Sequence, residues 1–187
     1  MIDVTGRREQ TKTRTRAALI EAGIRLMHAQ GYAATATTQI AAEAGVAPAT
    51  LFNYFPTKAS IVFADDHLWA PPEGIDPGVT PRETLTRVVQ AMVSAPGWTH
   101  TVDDPLTRKR FELVRREPDL AREQDRRLLA MAPSMADLLE RLHPDLSRGE
   151  AIALSGALLG AIAVSLQVAD DPDVRATITR ATRAALG

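Results

Sequence analysis

Apolar residues recur at helical spacing along almost the whole chain. Between Arg7 and Gln30 the positions Leu19, Ala22, Gly23, Leu26 and Met27 follow i, i+3, i+4, i+7, the pattern of a helix with one buried face. Gly31 stands where glycine ends helices. The segment TTQIAAEAG predicts a short second helix, capped by Thr37 or Thr38, with Ile40, Ala41 and Ala44 inward and Gly45 closing it. After Val46-Ala47, Pro48 suits the first turn of a third helix that runs through ATLFNYF to Pro56. Two short helices joined by a tight Gly-containing turn make a helix-turn-helix. Thr57 can cap a fourth helix through KASIVFADDHLW, which the stretch APPEGIDPGVTP ends. Further helices are expected at about 81–95, 104–116, 117–142, 148–169 and 172–186, with breaks at Pro96-Gly97, Pro118, Pro144 and Pro172. No segment alternates as a strand does. The expected class is all-α with about nine helices: a three-helix head over residues 1–58, a connecting helix over 57–70, and a helical body over 71–187.

Charge sharpens this division. Residues 1–60 hold seven Lys/Arg against four Asp/Glu, a balance of +3, so the remainder carries −4 of the net −1. A basic head on an acidic body suits a nucleic-acid-binding unit joined to a regulatory one. Cysteine is absent, which excludes a disulfide framework, a thiolate zinc site and a cysteine nucleophile. The N-terminus MIDVTGRREQTKTRTR is polar and leads into an amphipathic segment rather than an apolar leader, so a cytoplasmic location is expected.

The motif GYAATATTQIAAEAGVAPATLFNYFPTK, residues 31–58, strongly resembles the signature of the TetR family of transcriptional regulators. The glycines, Ile-Ala, Ala-Gly-Val, Thr-Leu, Tyr-Phe and trailing Lys all fall at the family's spacing. The resemblance covers roughly residues 10–65 and implies a homodimer that binds a pseudo-palindromic operator in double-stranded DNA. Repression is the family's usual mode. Residue by residue, it implies phosphate contacts at Thr37, Tyr54 and Lys58, base-facing roles at Thr38, Pro48, Ala49, Thr50 and Phe52, and either role for Asn53. The chemistry agrees. A recognition helix enters the major groove with its N-terminal residues on base edges, and here Pro48 and Ala49 are small enough to approach thymine methyls, while Thr50 and Asn53 can hydrogen-bond. Lys58 and the N-terminal arginines would supply counterion release. Pro48 also reads simply as a helix starter, and Thr37 as an N-cap. Two departures from the family pattern stand out: Ala36 replaces the commoner Ser or Thr, and Phe52 replaces the commoner Tyr. The variant Phe52-Asn53-Tyr54-Phe55-Pro56 resembles a branch that includes mycofactocin-system regulators.

The body carries weaker signals. Leu128, Met131, Met135, Leu138 and Leu142 form one stripe, interrupted by Pro133, which should kink a helix by deleting a backbone bond. Met131 and Met135, with Met92, Trp98, His100 and Phe111, are candidates for the wall of a cavity that takes a small apolar or amphipathic effector; they read equally well as core filling. Residues 151–169 carry no charge and contain Gly156-x-x-x-Gly160. A membrane span is disfavoured by the Ala/Ser content, Gln167, the flanking Glu150, Asp170 and Asp171, and the lack of an aromatic belt. A buried helix at a dimer contact fits better, with Gly156, Leu159, Gly160, Ala163 and, from the last helix, Ile178 at the interface of a four-helix bundle.

An enzyme is not expected: P-loop, Gly-x-Ser-x-Gly, His-Glu-x-x-His and Gly-x-Gly-x-x-Gly patterns are all missing. No metal or cofactor is expected either. His28, His67, His100 and His143 are scattered, although Asp65-Asp66-His67 or His100 with Asp103 could in principle hold a metal. A helical adaptor that binds protein instead of DNA is the remaining alternative, and it would lack salt-dependent DNA affinity.

Overall fold

The computed structural model describes residues 4–64, 74, 80–94, 104–168 and 173–187. Within them it has ten α-helices and no strand. These are α1 (Val4–Gln30), α2 (Thr37–Glu43), α3 (Pro48–Tyr54), α4 (Lys58–Val62), α5 (Pro81–Ser94), α6 (Pro105–Arg116), α7 (Pro118–Leu129), α8 (Ala132–Leu142), α9 (Arg148–Val168) and α10 (Val174–Leu186). The all-α class is as expected. The extra helix arises where one kinked helix was expected over 117–142: the chain turns at Ala130 and Met131, and Pro133 sits in the first turn of α8. A proline there loses no hydrogen bond, so it starts a helix instead of bending one.

The chain divides into two compact units, Met1–Asp65 with Pro105–Glu117, and Asp66–Asp104 with Pro118–Gly187. The first unit exceeds the expected three-helix head by two helices, α4, expected as a connection, and α6. α6 packs on α1 and buries Leu113 and Val114, and Pro118 then starts α7 as a separate helix. Burying two such side chains stabilises this docking by about 1.5–3 kcal/mol each. Around α1 the first unit closes a core of Leu19, Ile24, Met27, Ile40, Leu51, Phe55, Ile61 and Val62.

In the turn between α2 and α3, Gly45 has φ +69. The Val46 N–H donates to Ala41 O at 2.9 Å and the Gly45 N–H to Ala42 O at 3.1 Å. This paired closure satisfies the last carbonyls of α2 and needs a left-handed residue at Gly45.

In the second unit α9 packs against α7, α8 and α10, and α5 against α8 and α10. Two helix starts are marked by reciprocal caps. Thr80 and Glu83 exchange side-chain and backbone hydrogen bonds at α5, and Ser147 and Glu150 do the same at α9. α9 is long and apolar enough by length and composition to cross a bilayer, yet its inner face of Ala151, Ser155, Leu158, Leu159, Ile162, Ala163 and Leu166 is buried within the unit.

Gly45→Ala should destabilise the first unit by about 1–2 kcal/mol, the strain of a left-handed non-glycine residue. Gly149→Ala, inside a helix with open space around its Cβ, should leave stability unchanged or raise it by about 0.5–1 kcal/mol. Urea unfolding of both variants checks the pair, and an unaffected Gly45→Ala would contradict the turn geometry described here.

Candidate nucleic-acid interface

The seven residues of α3 and its C-cap Phe55 divide into two faces. Leu51 and Phe55, four apart, are buried, and the Arg16 guanidinium lies over the Phe55 ring at 5.4 Å. Pro48, Ala49, Phe52 and Asn53 are exposed, with Phe52 at 49%, while Thr50 and Tyr54 are half-buried. An exposed aromatic on a helix otherwise fixed by its core is an unusual use of apolar surface, and it fits contact with base methyls. The structure thus gathers Pro48, Ala49, Thr50, Phe52, Asn53 and Tyr54 on one short helix.

Thr37 and Thr38 enter from α2. Neither is its N-cap. That position is Ala36, whose backbone is extended and whose methyl can accept no hydrogen bond; the Gln39 side chain accepts the Ala36 N–H at 2.9 Å instead. The expected threonine cap is corrected because Thr37 and Thr38 already lie inside the helix, half-buried and exposed respectively.

Lys58 stands apart from the other expected contacts. Its Nζ donates to the carbonyls of Tyr32 and of Thr35, the latter at 2.9 Å, and lies 4.3 Å from the centre of the Tyr32 ring. Burial lowers its pKa, against an upward pull from Glu117.

The N-terminal stretch contributes more than general charge. Arg7, Arg8, Thr11 and Lys12, with Tyr54, line an open cleft of about 450 Å³. Arg8 with Lys12 and Arg7 with Thr11 are i, i+4 pairs, neighbours along a helix, a signal present in the sequence once α1 is seen to start before Arg7. Three cations and two hydroxyls beside the end of α3 suit a phosphate backbone. The Arg25 guanidinium, by contrast, is paired with Glu43.

In the second unit Met92, Met131 and Met135 come together, with Val89, Val93, Leu158, Leu159, Ile162 and Ile178, around an entirely apolar cavity of about 10 Å³, the room of a single water. Phe111 is not there: it lies half-buried on α6, in the first unit. Trp98 and His100 fall outside the described residues, as do Asp65, Asp66, His67 and Asp103. Of the other histidines, His143 meets the Thr84 hydroxyl at 2.8 Å and His28 the Glu112 carboxylate at 2.9 Å.

The expected dimer residues also separate. Leu159, Ala163 and Ile178 are buried within the unit itself. Gly156 and Gly160 are half-buried, on the side of α9 where Ala153, Ala157, Val164 and Val168 are exposed, Val164 at 60% and Val168 at 73%. A helix that looks apolar all round is here covered on one side only.

Residues 19–64 match the family model described as bacterial regulatory proteins, tetR family. No curated protein sequence matches the chain. Among solved structures, a regulator assigned to the TetR family from Mesorhizobium loti shares 17% identity over 93% of this chain and 94% of that one, with a TM-score of 0.53. The fatty acid degradation regulator FadR from Bacillus halodurans shares 17% over 92% and 94%, with a TM-score of 0.55. At these identities the likeness is one of fold.

The seat of α6 on α1 carries a pH signature. The His28 hydrogen bond holds the Glu112 carboxyl below its ordinary value; desolvation opposes this, and the charges of His28, Arg116 and Arg115 add to it. A depressed folded pKa means that this contact stabilises the first unit above about pH 4.5 and fades as pH falls through the lowered value. In His28→Ala the Glu112 carboxyl should titrate higher, and the unit should lose under about 1 kcal/mol near neutral pH, since both side chains are partly exposed. Carbon-detected NMR titration of Glu112 checks this; an unmoved titration would contradict the pairing.

Proposed function

We propose that this chain, whose residues 19–64 match the model of the bacterial TetR family, is a TetR-type cytoplasmic repressor without enzymatic activity. It binds a pseudo-palindromic operator as a homodimer and is released by a small apolar or amphipathic effector. The observation that carries the DNA-binding part is the two-faced α3: Leu51 and Phe55 hold it in the core while Pro48, Ala49, Phe52 and Asn53 face outward. Thr38, Thr50 and Asn53 supply hydrogen-bonding groups to bases, and Thr37, Tyr54 and the Arg7-Arg8-Lys12 cleft supply phosphate contacts.

The dimer reading rests on the exposed apolar side of α9, with Val164, Val168 and the two glycines that let another helix approach. The effector reading rests on the methionine-lined apolar cavity. A cavity with room for one water has to open to admit a metabolite, so the effector acts by favouring an expanded body over the closed one. A coupling of about 1–3 kcal/mol would change operator affinity roughly 5–150-fold, and operator would weaken effector binding by the same factor. Since a fatty acid degradation regulator shares the fold, long-chain acyl compounds are the first class to test.

On a duplex from upstream of its own coding sequence, Asn53→Ala should weaken binding by about 1–3 kcal/mol and relax preference at one base pair. Arg8→Ala should weaken binding on all sequences and lower the salt slope by about one. Val164→Asp should leave the protein monomeric in sedimentation, and an unaltered dimer would move the interface elsewhere. A chain with no salt-dependent DNA affinity would favour the adaptor reading instead.

A further inference from the structure

We propose that Ser155 is the polar anchor of the effector site, and that the effector is an apolar molecule with one neutral carbonyl, as in a ketone, ester or thioester, which accepts a hydrogen bond from the Ser155 hydroxyl. This deepens, and rests on, the reading of the methionine-lined cavity as the place where an effector opens the second unit. Ser155 lies within α9 and is fully buried, yet its hydroxyl has no hydrogen-bond partner among the described residues. A hydroxyl inside a helix commonly bonds the carbonyl one turn back, as Thr182 does to Ile178 at 2.8 Å in α10. Ser155 forgoes that bond. An unpartnered buried hydroxyl weakens the folded chain, and alanine would fill nearly the same space without that loss.

The place of Ser155 along α9 ties it to the cavity. Leu158 and Leu159, three and four residues on, and Ile162, seven on, share its face of the helix. All three line the cavity with Met92, Met131 and Met135. Ser155 therefore stands one helical turn from the cavity wall, next in line when the flexible methionines move aside. No Lys, Arg or His is among the described lining residues, so an ionised carboxylate would lose its hydration there with no opposite charge to meet. A buried water fits no better, because one hydroxyl falls short of the roughly two to four polar partners that hold such a water. A neutral carbonyl is satisfied by a single donor, and a serine hydroxyl has one to give. The rest of the ligand meets only apolar side chains.

The test uses the full-length chain and three ligands of similar length, methyl decanoate, undecane and decanoic acid, at about pH 8, where the acid is ionised. Titrations are followed on the methyl signals of Met92, Met131 and Met135, which report on the cavity alone. Methyl decanoate should bind about tenfold more tightly than undecane, and decanoic acid more weakly than its ester. In Ser155→Ala the ester and the alkane should bind alike, and the protein should melt no lower than its parent. Equal affinity of ester and alkane in the parent chain, an ester preference that survives in Ser155→Ala, or an acid that binds as tightly as the ester each overturns the anchor while the cavity reading stands. A Ser155→Ala chain that melts lower or fails to fold shows the hydroxyl already partnered inside the protein, and overturns the anchor too. If no ligand moves the methionine signals, the cavity reading itself fails, an outcome distinct from binding without discrimination.

Discussion

A helix of seven residues has no stability of its own in water, so the first unit depends on how α3 is pinned. Leu51 and Phe55 are the pins. They place one stripe of α3 in the core, and Arg16 braces Phe55 from α1 by lying over its ring and donating to the Ala64 carbonyl. Once that stripe is committed, the direction of every other α3 side chain follows from helical geometry. Pro48, Ala49, Phe52 and Asn53 have nowhere to point but outward. The left-handed Gly45 fixes the angle at which α3 leaves α2, and the Gln39 side chain closes on the Ala36 N–H where α2 begins. Surface chemistry is thereby set by interior packing.

The second unit follows a different logic. Among its described residues the inner surfaces are almost wholly apolar, and the buried polar side chains are few: Thr84, Ser155, Thr177 and Thr182. Thr84 is satisfied by His143 and Thr182 by the Ile178 carbonyl. Non-directional packing of this kind tolerates repacking better than a polar network does, and unbranched methionines at Met92, Met131 and Met135 tolerate it best. Such a core can be expanded by an apolar guest without leaving hydrogen bonds unpaired. The same absence of polar markers makes α9 two-sided in use: one face closes the unit, and the other exposes Val164 and Val168.

The helix-turn-helix was legible in the sequence because each of its constraints is local. Gly45 reads as a helix end, Pro48 as a helix start, and the Leu51/Phe55 spacing as an inward stripe; none of these needs a distant partner. What stayed hidden depends on tertiary context. The apolar stripe from Leu128 to Leu142 admits either a kinked helix or two helices, and Pro133 fits both. The partnership of α6 with α1 rests on Leu113 and Val114 meeting a surface far away in sequence. In α9 alanines and glycines face all directions, so Leu159 and Ala163 could be placed outward as easily as inward. The carbonyls of Tyr32 and Thr35 that meet the Lys58 ammonium come from 26 and 23 residues away, a pairing no local motif shows.

The central claim is that packing inside the first unit presents the outer face of α3, with the start of α2, to DNA. Amide chemical-shift mapping on addition of a duplex from upstream of the gene tests it most directly. The account predicts the largest perturbations at Thr38, Ala49, Phe52 and Asn53, with Leu85 and Leu158 unmoved. Saturable binding that perturbs other surfaces and leaves α3 silent would contradict it.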